Sequence, residues 1–117
     1  MAISKILLSG GGTDGKPLAS DGNNQTIHTA SSTATDIDEV WIWATNVHSA
    51  DVEVTVGWGR WGYTASNSLF TVPTLAGLYL LVPGLILKGN SSSQKIVNVS
   101  ASSGHINFVG YVNRHSA

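Results

Sequence analysis

Hydrophobic and polar residues alternate along most of this chain with the period of two that is typical of β-strands. The run Asp-Val-Glu-Val-Thr-Val at residues 51–56 places three valines on one face of an extended segment and two acids and a threonine on the other. No window carries the sustained i, i+3, i+4, i+7 spacing of an amphipathic helix, and the strong helix formers Glu, Lys and Gln are scarce. The pattern therefore predicts an all-β fold.

Eight extended segments recur at intervals of roughly ten residues, separated by clusters of Gly, Asn, Asp and Ser that favour turns. This spacing predicts a single antiparallel β-sandwich of about eight strands, jelly-roll-like or, as the alternative, immunoglobulin-like. Residues 1–117 are predicted to form one domain, in which residues 1–16 are the first strand with its Gly-rich turn or an N-terminal arm that pairs with a neighbour's sheet. We expect the strands at 39–47 and 52–58 to pair as a hairpin. The predicted strands are Ile3–Ser9, Thr26–Ala30, Glu39–Val47, Val52–Trp58, Leu69–Val72, Leu78–Val82, Lys95–Ala101 and Ile106–Asn113, with Leu85–Lys88 as a short additional one.

Two of these strands are apolar on both faces. The third predicted strand carries Trp41 and Trp43 opposite its aliphatic residues, and the last carries Val109 and Tyr111 opposite an isoleucine, a phenylalanine and a valine. A strand of this kind must be covered on both sides, by a segment of its own chain or by another subunit. Two such strands in one short chain favour a partner.

The composition agrees with an assembling protein. Charged residues make up 11% of the chain, less than half of the share in an average soluble domain, and the net charge is −1. Surfaces poor in Lys and Glu resemble contact patches, which are depleted in both. Residues 1–53 carry all seven acids and two lysines, whereas residues 54–117 carry four basic residues and no acid. This asymmetry indicates either local neutralisation within one sheet stack or complementary charges between neighbouring subunits.

Several function classes are excluded by what the chain lacks. Without cysteine, it has no disulfide framework, thiolate zinc site or cysteine nucleophile. A net charge of −1 gives no basic face for nucleic acid. The most apolar stretch, residues 77–87, is interrupted by Pro-Gly and is about half the length that a bilayer requires, so no membrane partner is expected. The apolar run at residues 1–9 is too short for the core of a signal peptide with its flanks, so no export signal is expected.

Three motifs suggest a binding site, but each lacks neighbouring residues that such a site requires. Gly10–Lys16 matches G-x-x-x-x-G-K, but Pro17 stands where magnesium binding needs Ser or Thr, and no helical pattern follows. Residues 57–62 match G-x-G-x-x-G, but no acid occurs after Glu53 to bind a ribose. The Asp-Ile-Asp-Glu run at 36–39 lacks the rest of a calcium loop. No catalytic, cofactor-binding or metal-binding residues are predicted, and no small-molecule ligand is expected.

The aromatic residues remain as candidates. Trp and Tyr dominate the hot spots of protein interfaces, and indole faces also stack on sugar rings. We predict an interface formed by Trp41, Trp43, Trp58, Trp61, Tyr63, Val109 and Tyr111.

Four segments together resemble small structural proteins of tailed bacteriophages, in particular the capsid decoration, or cement, proteins. They are residues 38–46 (DEVWIWATN), 52–59 (VEVTVGWG), 81–89 (LVPGLILKG) and 106–114 (INFVGYVNR), and the likeness spans roughly Pro17 to His115. The resemblance implies a compact, non-enzymatic β-sandwich on the virion surface, assembled in the host cytoplasm. It also implies contact with the major capsid protein and with copies of itself, as dimers or trimers.

Two other function classes stay open. The first is a carbohydrate-binding or receptor-binding tail module that would use Trp58, Trp61 and Tyr63 as a stacking platform. The second is a small β-barrel enzyme with a site assembled from distant histidines and aspartates, for which His48 or His105 beside a carboxylate and a deep pocket would be the indication.

Overall fold

The computed structural model describes residues 2–10, 15–60, 64–92 and 95–116. Within them the chain forms two antiparallel sheets that pack face to face, and a single 3₁₀ turn at Thr64–Ser66 is the other regular element. The strands are β1 (Ala2–Leu7), β2 (Leu18–Ala19), β3 (Gln25–Thr29), β4 (Ile37–Asn46), β5 (Val52–Gly59), β6 (Asn67–Val72), β7 (Tyr79–Lys88), β8 (Ile96–Ala101) and β9 (Ile106–Ser116). The predicted all-β sandwich is confirmed.

The strand pairing is nested, as in a jelly roll. The innermost pair is β5 with β6, followed outward by β4 with β7, β3 with β8, and β1 and β2 with β9. Two further pairings, β4 with β9 and β5 with β8, close the sheets. Sheet A has the order β1-β9-β4-β7, with β2 beside β9, and sheet B has the order β3-β8-β5-β6. One long hairpin folded over itself produces this order, so the topology is the jelly-roll alternative and not the immunoglobulin one.

Alternation along the strands places the core between the sheets. Every second residue of β4 from Asp38 to Asn46 is buried, and the residues between them are half-buried on the outer side of sheet A. In sheet B, Val52, Val54 and Val56 of β5 face inward, as their alternation predicts. The apolar core is built from aliphatic residues of both sheets around Phe108.

The expected hairpin of the strands at 39–47 and 52–58 is wrong, because β4 and β5 lie in opposite sheets. One buried face on each strand is compatible with pairing in one sheet and with packing across the core, so alternation does not distinguish the two arrangements. In the structure β4 pairs with β7 and β9, whereas β5 pairs with β6 and β8. Asn46 stabilises the crossing from sheet A to sheet B, since its Nδ2 donates to the carbonyls of Ala50 and Val72 and its Oδ1 accepts from the amide of His48.

Other strand predictions are refined by the structure. Leu78–Val82 and Leu85–Lys88 fall on one strand, β7, whose register against β4 shifts between Val40 and Trp41 and again between Ile42 and Trp43. The short strand β2 was not predicted. Ala2–Leu7 pairs along its whole length with β9 of the same chain, which makes it the first strand of its own sandwich.

Candidate functional site

The outer face of sheet A brings together four of the seven residues predicted from the sequence to form an interface. Trp41 and Trp43 project outward from β4, and Val109 and Tyr111 project outward from the neighbouring β9. The register sets Trp41 opposite Tyr111 and Trp43 opposite Val109. All four side chains are half-buried, and no other layer of the described chain covers them. We call these four residues the aromatic cluster.

The three rings of the aromatic cluster pack on one another. Their centroids are 6.0 Å apart for Trp41 and Trp43, 6.4 Å for Trp41 and Tyr111, and 6.1 Å for Trp43 and Tyr111, with interplanar angles of 13° to 25°. The centroids therefore form a compact triangle of nearly parallel rings. Aromatic contacts at this separation add to the hydrophobic stabilisation of the rings.

A carboxylate orients Trp41. Glu39 lies two residues before it on the same face of β4, and its Oε1 accepts hydrogen bonds from Trp41 Nε1 at 3.0 Å and from Asn113 Nδ2 at 2.9 Å. These two donors lower the pKa of Glu39 below its ordinary value, because both favour the charged form. The second carboxylate oxygen of Glu39 accepts no hydrogen bond from the described residues and remains available to a partner.

A glycine on β7 makes room for the same indole. Gly84 has φ of +75°, and a Cβ there would lie 2.8 Å from Cζ2 of Trp41. Only glycine adopts this backbone without strain, and only the absence of a side chain lets the indole pack on the strand. On the other flank, β1 contributes Lys5, whose Nζ lies 5.1 Å from the centre of the Tyr111 ring.

Exposed aliphatic residues extend the aromatic cluster to both edges of sheet A. Ile3 and Leu7 of β1 are 65% and 50% exposed, and Leu80 and Ile86 of β7 are 41% and 64% exposed. Beside Ile86 lies a shallow groove of about 150 Å³, lined also by Ile37, Glu39 and His115. The result is a largely apolar face across four strands, crossed by one polar row of Lys5, Asn113 and Glu39. Large exposed apolar patches are typical of surfaces at which proteins make contacts.

The other predicted interface residues lie elsewhere. Trp58 belongs to β5 in sheet B and packs against the apolar core, opposite Val97 of β8. Trp61 and Tyr63 fall outside the described residues. The structure therefore does not join Trp58 to the aromatic cluster, because the two belong to different sheets.

A buried polar network joins the two sheets, and the sequence analysis missed it. Asp38 is 1% exposed and receives two hydrogen bonds from Arg114, from Nε at 2.7 Å and from Nη2 at 2.9 Å. His28 of β3, fully buried, contributes a third through Nε2 at 2.7 Å. Alternation along the strands indicates that Asp38 and Arg114 both face inward, and the strand pairing sets them directly opposite each other.

The hydrogen bonds assign the charges in this network. The amide of Ser9 donates to Nδ1 of His28, so Nδ1 is an acceptor and the proton resides on Nε2, which donates to Asp38. Burial lowers the pKa of His28 despite the neighbouring carboxylate, so the imidazole is neutral. Burial alone would raise the pKa of Asp38, but the bonds from Arg114 and His28 outweigh it and hold this pKa below its ordinary value.

Ser9, His28 and Asp38 form a chain of hydrogen bonds that invites comparison with a catalytic triad. Ser9 Oγ lies 3.2 Å from Nδ1 of His28, but it also accepts from the amide of Thr29 at 2.8 Å. The imidazole has no exposed surface with which to pass a proton to a substrate, and Arg114 engages both oxygens of the carboxylate. The arrangement is suited to holding β1, β3, β4 and β9 together.

The two histidines that would have indicated an enzyme have other contacts. His48 and His105 stack on each other, with ring centres 4.3 Å apart, at the end of the sandwich where β4 leaves sheet A and β9 begins. Nδ1 of His105 is 2.6 Å from Oγ of Ser103, and no carboxylate is bonded to either ring among the described residues. Residues 2–10, 15–60, 64–92 and 95–116 contain no group of three or more His, Asp and Glu placed to hold a metal ion. The same residues include no helix with the length and apolar character needed to cross a bilayer.

No family model, curated protein or solved structure compared with this chain matches it.

Proposed function

We propose that this protein is a non-enzymatic structural component of a multi-copy protein assembly, in which the outer face of sheet A is a contact between protein subunits. The observation that carries the proposal is the largely apolar face of four strands with the aromatic cluster at its centre. We propose further that the assembly is the capsid of a tailed phage, which the protein would decorate and cement; the resemblance described in the sequence analysis supports this part of the proposal.

The physical mechanism of cementing is linkage. A protein that binds the assembled shell and not its separated subunits stabilises the shell by its binding free energy. Apolar area contributes about 25 cal/mol per Å² removed from water, and the contributions of many copies act together. Binding energy at protein interfaces concentrates in a few central residues, among which Trp and Tyr are enriched, and the aromatic cluster holds this central position on sheet A.

A carbohydrate-binding role is the second candidate, since jelly rolls serve lectins as well as viral capsids. The aromatic cluster is the feature that favours it. Sugar rings, however, stack on free aromatic faces, whereas Trp41, Trp43 and Tyr111 pack against one another and Trp41 also covers Gly84. Protein docking makes better use of this geometry.

Purified protein should be added to phage capsids that lack it, and its binding and the thermal disruption of the shell should be measured. We expect saturable binding and a higher disruption temperature, and we expect Trp43→Lys to abolish both. Leu69→Lys is the matched control: Leu69 is 80% exposed but lies on sheet B, so that variant should bind like the parent. Circular dichroism verifies that each variant is folded.

A glycan array on the same variants separates the two candidates. The carbohydrate role would replace the structural role if the parent binds a sugar saturably, Trp43→Lys abolishes that binding, and the parent does not bind capsids.

A further inference from the structure

The outer face of sheet A is complementary to itself under a two-fold rotation. We propose, resting on the function above, that its occupant is the same face of a second copy, so that the unit of assembly is a face-to-face dimer. The two-fold axis runs parallel to the strands, midway between β9 and β4. Each aromatic cluster then packs against the other at the centre of the interface.

The register across sheet A supplies the first argument. One row crosses the sheet as Lys5 on β1, Asn113 on β9, Glu39 on β4 and Ile86 on β7. The rotation lays β4 of one copy over β9 of the other and β7 over β1. Lys5 then faces Ile86 of the other copy, and Glu39 of that copy lies one strand nearer to the axis. Lys5 of each copy therefore comes diagonally beside Glu39 of the other, twice in the dimer.

The side-chain directions agree with this arrangement. Lys5 leans from β1 over the Tyr111 ring on β9, which is the strand that faces the second copy's β4. Glu39 turns one oxygen toward Trp41 and Asn113 and keeps the other free of described donors. A free carboxylate oxygen and an exposed ammonium on the same apolar face would each be costly to cover with an apolar partner. Covering them with each other removes that cost.

The available area also fits a second copy. Strands of six to eleven residues, at about 3.3 Å per residue and 4.8 Å between strands, cover about 600 Å² on each copy. Two copies together bury about 1,200 Å², which reaches the lower bound for a specific and stable interface. A net charge of −1 per chain puts little repulsion between copies.

Complementary charge reversals test the pairing. Sedimentation equilibrium of the parent should give a dimer, and Lys5→Glu alone and Glu39→Lys alone should each raise the dissociation constant at least about tenfold, because each variant sets like charges against each other at two places. An equimolar mixture of the two variants should form a heterodimer with nearly parental affinity, since both pairs are then opposite in sign. Glu39→Lys also loses the bonds to Trp41 and Asn113, so the recovery in the mixture is the decisive measurement.

Lys95→Glu provides the matched control. It makes the same change in net charge as Lys5→Glu, but Lys95 directly precedes β8 of sheet B and lies away from the outer face of sheet A. Lys95→Glu should dimerise like the parent, and its mixture with Glu39→Lys should not recover parental affinity.

A monomeric or trimeric parent, or a mixture that fails to recover, would overturn the dimer. A monomer that still binds capsids and loses binding with Trp43→Lys would leave the proposed function standing. A dimer that recovers in the mixture but does not bind capsids would overturn the function and leave the dimer standing.

Discussion

Arg114→Met should destabilise the protein strongly, because it removes the only cation hydrogen-bonded to Asp38 among the described residues. Asp38 is 1% exposed and accepts two bonds from the guanidinium, at 2.7 and 2.9 Å. Breaking a buried pair by removing one partner typically costs about 3–5 kcal/mol. Arg114 itself is 27% exposed, so water can partly replace it, and we expect a loss at the lower end, about 3 kcal/mol at pH 7.

The loss of unfolding free energy in Arg114→Met has an upper limit that depends on pH. The Asp38 carboxylate left without its cation can always take up a proton, and protonation costs about 1.4 kcal/mol for each pH unit above its unfolded pKa near 3.9. Uncompensated burial therefore costs at most about 4 kcal/mol at pH 7 and about 1.5 kcal/mol at pH 5. The difference in unfolding free energy between parent and Arg114→Met should accordingly shrink between these two pH values.

Urea unfolding at one fixed protein concentration, followed by far-ultraviolet circular dichroism, measures this difference at both pH values. Lys16→Met removes an exposed cation and should change the unfolding free energy by no more than about 0.5 kcal/mol. A loss below about 1 kcal/mol for Arg114→Met at pH 7 would show that the ion pair is not effectively buried. An equal loss at both pH values would refute the reasoning that the carboxylate is charged and unpaired.

Two further outcomes are expected. Burial lowers the pKa of His28 on folding, so the unfolded chain binds the proton more readily, and the unfolding free energy should fall as the pH drops below about 6.5. His28→Gln should abolish this fall and the control His48→Gln should retain it. A fall that persists in His28→Gln would show that another group causes the acid sensitivity. Gly84→Ala should lower the unfolding free energy by about 1–3 kcal/mol more than Gly22→Ala, because both glycines have positive φ but only a Cβ at Gly84 meets the indole of Trp41. Gly84→Ala should also alter the near-ultraviolet circular dichroism of Trp41. Equal losses of unfolding free energy in thermal unfolding would show that the indole moves aside freely.

Much of the fold was available from local pattern. Alternation identified eight of the nine strands found in the described parts of the chain and assigned inward and outward faces, because the two-residue period of a strand is a property of its own backbone. Double-sided apolar character also singled out Trp41, Trp43, Val109 and Tyr111, four residues that meet on one face. These inferences require no knowledge of which strand lies beside which.

Pairing between distant strands was decided only in the tertiary structure. Consecutive strands such as β4 and β5 look like a hairpin from their sequence, yet they lie in different sheets on opposite sides of the core. The same long-range pairing sets Asp38 against Arg114, 76 residues away, and Gly84 against Trp41. Alternation indicates on which side of its strand a residue lies, but its neighbour is chosen by the packing of the whole chain, and that choice gives sheet A its apolar outer face.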